Sequence, residues 1–315
     1  MEHEHMHTEG SEHEEVHHEA KNKKPKHLKS IIIIVVAVIL IALIAALTWL
    51  YTGKLSSAKE KIFKKLPLPA AVIDMKFLSA KVVLNRIDLA NQLASTQGAS
   101  AATNADIYSQ LIDAKKLNAI ADHKKVAVKQ AEVDEEYQNI LKQYANGDEN
   151  TFKTELQNSY HMDVDQFKKE VVYQEIVQSD LMLWFNQQKD LNKDAYDKAA
   201  DFQNQLNSGK SFDDIATAYT QDEATKNFAG DSQMIPYSSL LPEFRSQLND
   251  AKVNDVKLVV SRYGLHLLKV LEVNNDGENG AKQIHLQQIF IKPGDFADWL
   301  TKQTDSIRVI KLLKF

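Results

Sequence analysis

The chain has 315 residues, 43% of them apolar, a formal net charge of −5 and no cysteine. That length suits about two domains, and the apolar content allows real cores. The absence of cysteine excludes a disulfide framework, thiolate catalysis and cysteine-ligated zinc, and the mildly negative charge gives no electrostatic case for nucleic acid.

Residues 1–30 begin "MEHEHMHTEGSEHEEVHHEA", with six histidines and seven glutamates in twenty residues. The composition reads as a solvated, disordered tail. Loose capture of a transition metal by the imidazoles is the alternative, but no spacing fixes a coordination geometry, so no metal site is assigned. A membrane metal sensor is the corresponding functional reading, with composition alone behind it.

From Ile31 to Leu50, "IIIIVVAVILIALIAALTWL" carries no charge and one hydroxyl, Thr48. Twenty helical residues span about 30 Å, the hydrocarbon thickness of a bilayer. Every helical face is apolar, and no small-residue cleavage site follows directly, so residues 31–51 are expected to form an uncleaved membrane signal anchor. Five lysines precede the span and five follow it, which leaves the positive-inside rule without a strong vote. The economical topology keeps the short N-terminal tail cytoplasmic and the large C-terminal part extracytoplasmic.

Residues 52–65 form a juxtamembrane segment of helical character. The segment 66–191 opens with "LPLPAAVIDMKFLS", where "AAVID" and "KFLS" can pair as a small hairpin, and is otherwise helical. Asn104 is a plausible N-cap for a helix with Ile107, Leu111, Leu117 and Ile120 near one side. Gly147 reads as a helix stop, and Asp163 with Gln166 resembles a capping box. No carboxylate–histidine pair, nucleophile elbow or phosphate loop is visible in this segment.

In residues 192–315 the pattern changes. A helix stops at Gly209, and Ser211 caps a second one. The loop-rich "EATKNFAGDSQMIPYSS" follows, then the short helix "LLPEFRSQL". "VKLVVS" and "GLHLLKVLEV" alternate like strands, and "NNDGENGA" is a turn leading into the strand "QIHLQQIFIK". The order predicts an α+β fold with an antiparallel sheet. A hairpin centred near Gly277 and Glu278 sets His266 across from Gln288 or Ile289. It leaves His285 about four residues away, roughly 13 Å along the strand.

Over roughly a hundred residues the chain resembles the parvulin-type peptidyl-prolyl isomerases, the PpiC/rotamase family. The resemblance rests on the helix entry Gly209 to Thr220, on Asp222, on Gly230–Asp231, on "PEF" at Pro242 to Phe244, and on "GLHLLKV" at Gly264 to Val270. The helical segment 66–191 is more loosely similar to SurA-like chaperone domains, around "AEVDEEY". What the resemblance implies is a four-stranded antiparallel sheet and noncovalent isomerisation of X–Pro bonds, with no cofactor. It implies a polar cluster at His266 and Asp222 and a proline pocket at Leu240 and Phe244, with Met234 as a further substrate contact. The family's first strand is missing before its first helix, and "QIHLQQIFIK" resembles it at the C-terminal end, as in a circular permutation. Matching "QIFI" to that strand puts Gln288 where the family has a histidine, and leaves His285 outside the site. The expected partners are unfolded exported polypeptides with X–Pro bonds. Two functions stay open: a membrane-tethered foldase, and a holdase chaperone whose isomerase site is weakened by Gln288 and by Ser232 in place of an apolar pocket residue.

Overall fold

The structure is a computed structural model that describes residues 26–97, 100, 102–277 and 280–315. The histidine-rich tail, with its metal question, lies outside the described residues. Helix α1 (Lys26–Tyr51) carries the apolar run. Within it, Ile33–Tyr51 is long and apolar enough to cross a membrane.

Residues 54–315 form one compact unit. It begins with α2 (Ser57–Lys65), β1 (Pro69–Ile73) and β2 (Lys76–Ser79). The two strands form the expected hairpin. Its turn puts Asp74 and Met75 at positive φ. Then come α3 (Ala80–Gln97), α4 (Asn104–His123), α5 (Gln130–Ala145) and α6 (Glu149–Tyr160). The cap of α4 is Thr103, one residue before the expected Asn104, because Thr103 and Asp106 satisfy each other in a reciprocal capping box. At the end of α5, Asn146 takes the left-handed cap and Gly147 follows at φ +83°. Asp163 and Gln166 make the expected box at the start of a long helix. That helix runs as α7 (Val164–Phe167), a π-helical bulge (Lys168–Val172) and α8 (Tyr173–Gln187).

The second half contains α9 (Lys193–Asn207), α10 (Phe212–Tyr219), β3 (Asp231–Pro236), α11 (Pro242–Leu248), β4 (Val256–Ser261), β5 (Gly264–Asn274) and β6 (Gln283–Ile291). The four strands form one antiparallel sheet in the order β3-β6-β5-β4. Thus β6, the displaced strand, sits between β3 and β5. The fold is α+β, as expected. The edge strand β3 lies inside the stretch that reads as loop; its bulge between Asp231 and Met234, with Gln233 at φ +59°, breaks the alternation by which strands are recognised.

Side chains alternate across this sheet. On one face Leu265, Leu267, Ile289 and Ile291 pack against α9 and α10 through Ala195, Ala199, Phe202, Phe212 and Ile215. On the other, Val259, Leu268, Val270, Ile284 and Leu286 pack against Leu240, Phe244 and Leu248 from the α11 side.

The C-terminal end departs from the expected division at residues 191 and 192. Helix α12 (Phe296–Ser306) and β7 (Val309–Lys311) return to the first half. β7 pairs antiparallel with β1 and completes a second sheet, β2-β1-β7. Trp299 packs on Trp184 and Phe185, with ring centroids 5.5 and 5.4 Å apart, and Lys124 lies over both tryptophan rings. A three-residue strand far from its partner in sequence carries too little periodicity to be read locally.

Candidate functional site

The pairing of β5 with β6 decides which residues meet. His266 lies directly across from Phe290, and Leu268 across from Gln288. The register therefore differs by one or two positions from the expected Gln288 or Ile289. β5 runs on to Asn274, which moves the turn toward the C-terminus, and a bulge between Val270 and Glu272 absorbs one residue. Gln288 is two residues from Phe290, so it shares the face of His266 and reaches it diagonally.

The hydrogen bonds form one chain. His266 Nδ1 is 3.1 Å from Gln288 Oε1. Gln288 Nε2 donates to Asp222 Oδ2 at 2.8 Å, and Thr225 Oγ1 donates to the same carboxylate oxygen. On the other side of the ring, Nε2 lies 2.8 Å from Ser261 Oγ, which also accepts from the Tyr263 N–H at 3.0 Å. A carboxylate only accepts, so the glutamine amide must turn its NH2 toward Asp222 and its oxygen toward the imidazole. His266 therefore carries its proton on Nδ1, and the bare Nε2 accepts from the Ser261 hydroxyl.

Burial sets the charge state. His266 is 6% exposed and stands between Phe244 and Phe290, with centroids 4.8 and 4.9 Å from its ring. Burial pushes its pKa down to about 4, against a smaller upward pull from Gln288, Asp222 and Glu243. At neutral pH the imidazole is neutral, a polar group of fixed tautomer in an apolar slot.

Of the residues expected from sequence, His266, Gln288 and Asp222 come together, and Leu240 and Phe244 pack in the core beneath the same face. Met234 does not join them. It pairs with His285 on β6, and the alternation along β6 assigns that position to the face of Gln287 and Ile289, opposite His266. His285 lies five residues along β6 from Phe290, about 16 Å at the rise of an extended strand. Its Nε2 faces Asp231 Oδ1 at 2.7 Å. Ser232, expected in the pocket, instead exchanges hydrogen bonds with the backbone of Leu286 and holds the β3 bulge.

Three contributors escape the sequence reading. Phe290 was signalled, since alternation puts it on the face of Gln288. Ser261, a lone hydroxyl closing an apolar strand, gave a weaker sign. Asn186, on α8, gave none. It is fully buried, and its Nδ2 donates to the carbonyls of Ser261 and Arg262 at 2.9 and 3.0 Å. Arg262 in turn donates from Nη1 to Ser179 Oγ of α8 at 2.6 Å. Helix α8 thus grips the β4–β5 turn that presents Ser261 to His266. Two glycines permit the close approaches. Gly230, at φ +77°, accepts from the Gln288 N–H at 2.9 Å, and a Cβ there would fall 2.0 Å from the Gln288 carbonyl oxygen. Gly264 lies so close to the Ile291 carbonyl that a Cβ would come within 2.7 Å.

Part of the chain is similar to known proteins. Residues 160–274 match the family described as the PPIC-type PPIASE domain. The matched residues end before β6, so Gln288 and Phe290 lie beyond them. The foldase protein PrsA of Caldanaerobacter subterraneus subsp. tengcongensis is 27% identical over 175 residues, 52% of this chain and 55% of the relative. The chain thus spans about half the length of the curated relative it matches. The crystal structure of a peptidylprolyl isomerase (PrsA) from Bacillus anthracis is 20% identical, covering 62% of this chain and 86% of that one with a TM-score of 0.22.

Proposed function

We propose, from the premise that residues 160–274 form a PPIC-type peptidyl-prolyl isomerase domain, that this protein is a membrane-tethered foldase. It isomerises X–Pro bonds in exported, partly folded polypeptides. The observation that carries the reading is the buried, uncharged Ser261–His266–Gln288 chain ending on Asp222, set against Phe244 and Phe290. The tether is the apolar helix α1, with residues 52–315 on the extracytoplasmic side.

The chemistry asked of the site is modest. Rotation about a peptide bond breaks amide resonance and meets a barrier of about 18–20 kcal/mol. For X–Pro the two ground states differ by only about 0.5–1 kcal/mol, so both are populated and wait on the barrier. A dry slot beside the rings of Phe244 and Phe290 favours the twisted, less conjugated amide over the planar, strongly hydrated one. Fixed dipoles of one tautomer meet the redistributed charge without reorganising. No covalent step and no titration of His266 is required, so the rate should vary little with pH around neutrality. Asp222 orients the glutamine amide, and Leu240 and Phe244 take the proline ring.

A second reading, the holdase chaperone, draws on two observations. Met234 belongs to the opposite face by its pairing, and Ser232 spends its hydroxyl on Leu286, which leaves the pocket fewer apolar walls. Exchange NMR on a proline peptide decides between them. The intact chain in detergent micelles should speed cis/trans exchange at catalytic concentration. Slowed aggregation of an unfolded client without faster exchange would favour the holdase.

A further inference from the structure

A cleft of about 1250 Å³ separates α5 and α8 from the segment 237–245 that leads into α11. Leu240, Leu241 and Pro242 form an apolar wall of it. Leu240 also packs with Phe244 in the cluster beneath the His266 face, so the cleft adjoins the proline site.

Its electrostatics are unbalanced. Six carboxylates and four basic side chains line the cleft, and three of those bases are already engaged. Arg245 bonds Glu135 and two backbone carbonyls. Arg262 bonds Glu243 and Ser179. Lys282 donates to the Asn249 carbonyl and covers the Tyr237 ring.

Three acceptors are left open among the described residues, the exposed Glu175 and two that are more deeply placed, Glu243 and Asp180. The Glu243 side chain is only 9% exposed. Its Oε1 accepts from the Arg262 N–H and Nε, both at 3.2 Å, while Oε2 is buried with no hydrogen-bond partner. A buried carboxylate oxygen without a donor is costly and rare. Asp180, half-buried on α8, lines the same cleft and makes no hydrogen bond or ion pair among the described residues. Burial first, and then the nearby charge of Glu132, push its carboxyl up to about 6, against a downward pull from Arg262 and Lys129. The charge of Glu243 acts on both Asp180 and His266. Glu243 and Asp180 line the same cleft, and Phe244, the next residue after Glu243, has its ring centroid 4.8 Å from that of His266, so a group held there lies beside the residues flanking a bound proline. Among the described residues no three His, Asp or Glu side chains converge as metal ligands. A side-chain ammonium or guanidinium fits these two carboxylates, and the charge-assisted bonds it makes are the strong kind.

We propose that this cleft is a specificity site for a lysine or arginine close to the proline in the client chain, held by Asp180 and drawn by the buried charge of Glu243. The inference rests on the isomerase reading for the proline site next door. It makes basic X–Pro segments the favoured clients and acidic ones the rejected class.

The test uses fluorescent peptides with one central proline, flanked by Lys, Arg, Leu or Glu, and the intact chain in detergent micelles. Anisotropy should give about tenfold tighter binding, about 1.4 kcal/mol, for Lys and Arg over Leu. The Glu peptide should bind weakest, and the preference should collapse at high salt. Asp180→Asn alone should cut the Lys-over-Leu ratio about threefold, and addition of Glu243→Gln should abolish it. Equal binding of Lys and Leu peptides, or a ratio unmoved by Asp180→Asn in a folded protein, overturns the proposal. Prolyl exchange is measured on the same peptides. Acceleration without a Lys preference refutes the specificity site alone. A Lys preference with no acceleration of any peptide supports the cationic site and refutes the isomerase reading.

Discussion

Acidification should destabilise this protein through His266, and the size of the effect follows from its burial. In the unfolded chain the imidazole titrates at its ordinary value of 6.5, whereas in the folded slot it titrates at about 4. Between those two values the unfolded state binds more protons than the folded one. Stability therefore falls as pH drops through 6.5 and stops falling, for this group, once the pH is below 4. At full expression a shift of that size corresponds to about 3 kcal/mol, and at pH 4.5 most of it, about 2–3 kcal/mol, is lost. Other groups titrate over the same range, so the informative quantity is a difference of differences. Urea denaturation followed by circular dichroism at pH 7.5 and 4.5 compares the protein with His266→Asn, which keeps a polar side chain but cannot titrate. The wild type should lose about 2–3 kcal/mol more than the variant. Equal losses would mean that His266 is not desolvated in the folded state and would remove the basis for a neutral, fixed tautomer.

Asn186→Leu removes both donors that α8 offers the β4–β5 turn. It should cost about 2–4 kcal/mol in urea denaturation and lower kcat for prolyl exchange more than it raises KM. Gly230→Ala drives a Cβ into the Gln288 carbonyl at a left-handed position. A loss above about 2 kcal/mol is expected, and a neutral substitution would mean that β3 does not approach β6 this closely. His285→Ala deletes a partly exposed pair with Asp231, so stability should change by less than about 1 kcal/mol while the exchange rate stays at the wild-type value.

Much of this was legible before any coordinates, for identifiable reasons. The apolar helix α1, the capping box at Asp163 and the strands on either side of Gly264 are local patterns with their own periodicity or polar punctuation. The return of β6 to the sheet was legible because a hairpin needs only two alternating runs and a turn. Its register was not, since the turn's centre and the bulge at Val270–Glu272 both shift it. Gln288 nevertheless reaches His266, because a two-residue offset preserves the face while a one-residue offset would not. The other failures share one cause. The β3 bulge, the β7–β1 pairing and the grip of Asn186 on the turn depend on partners distant in sequence, with no local pattern to announce them.

In the proposed function, the Ser261–His266–Gln288–Asp222 chain, in its apolar slot, lowers the barrier to prolyl rotation. Two-dimensional exchange NMR of a proline peptide with the intact chain tests it most directly, comparing wild type with His266→Ala. The wild type should raise the cis/trans exchange rate at substoichiometric concentration, and His266→Ala should lose about tenfold or more of that acceleration, at least about 1.4 kcal/mol of barrier. A wild-type protein that leaves the exchange rate at its uncatalysed value, or a His266→Ala variant that matches it, would contradict the account.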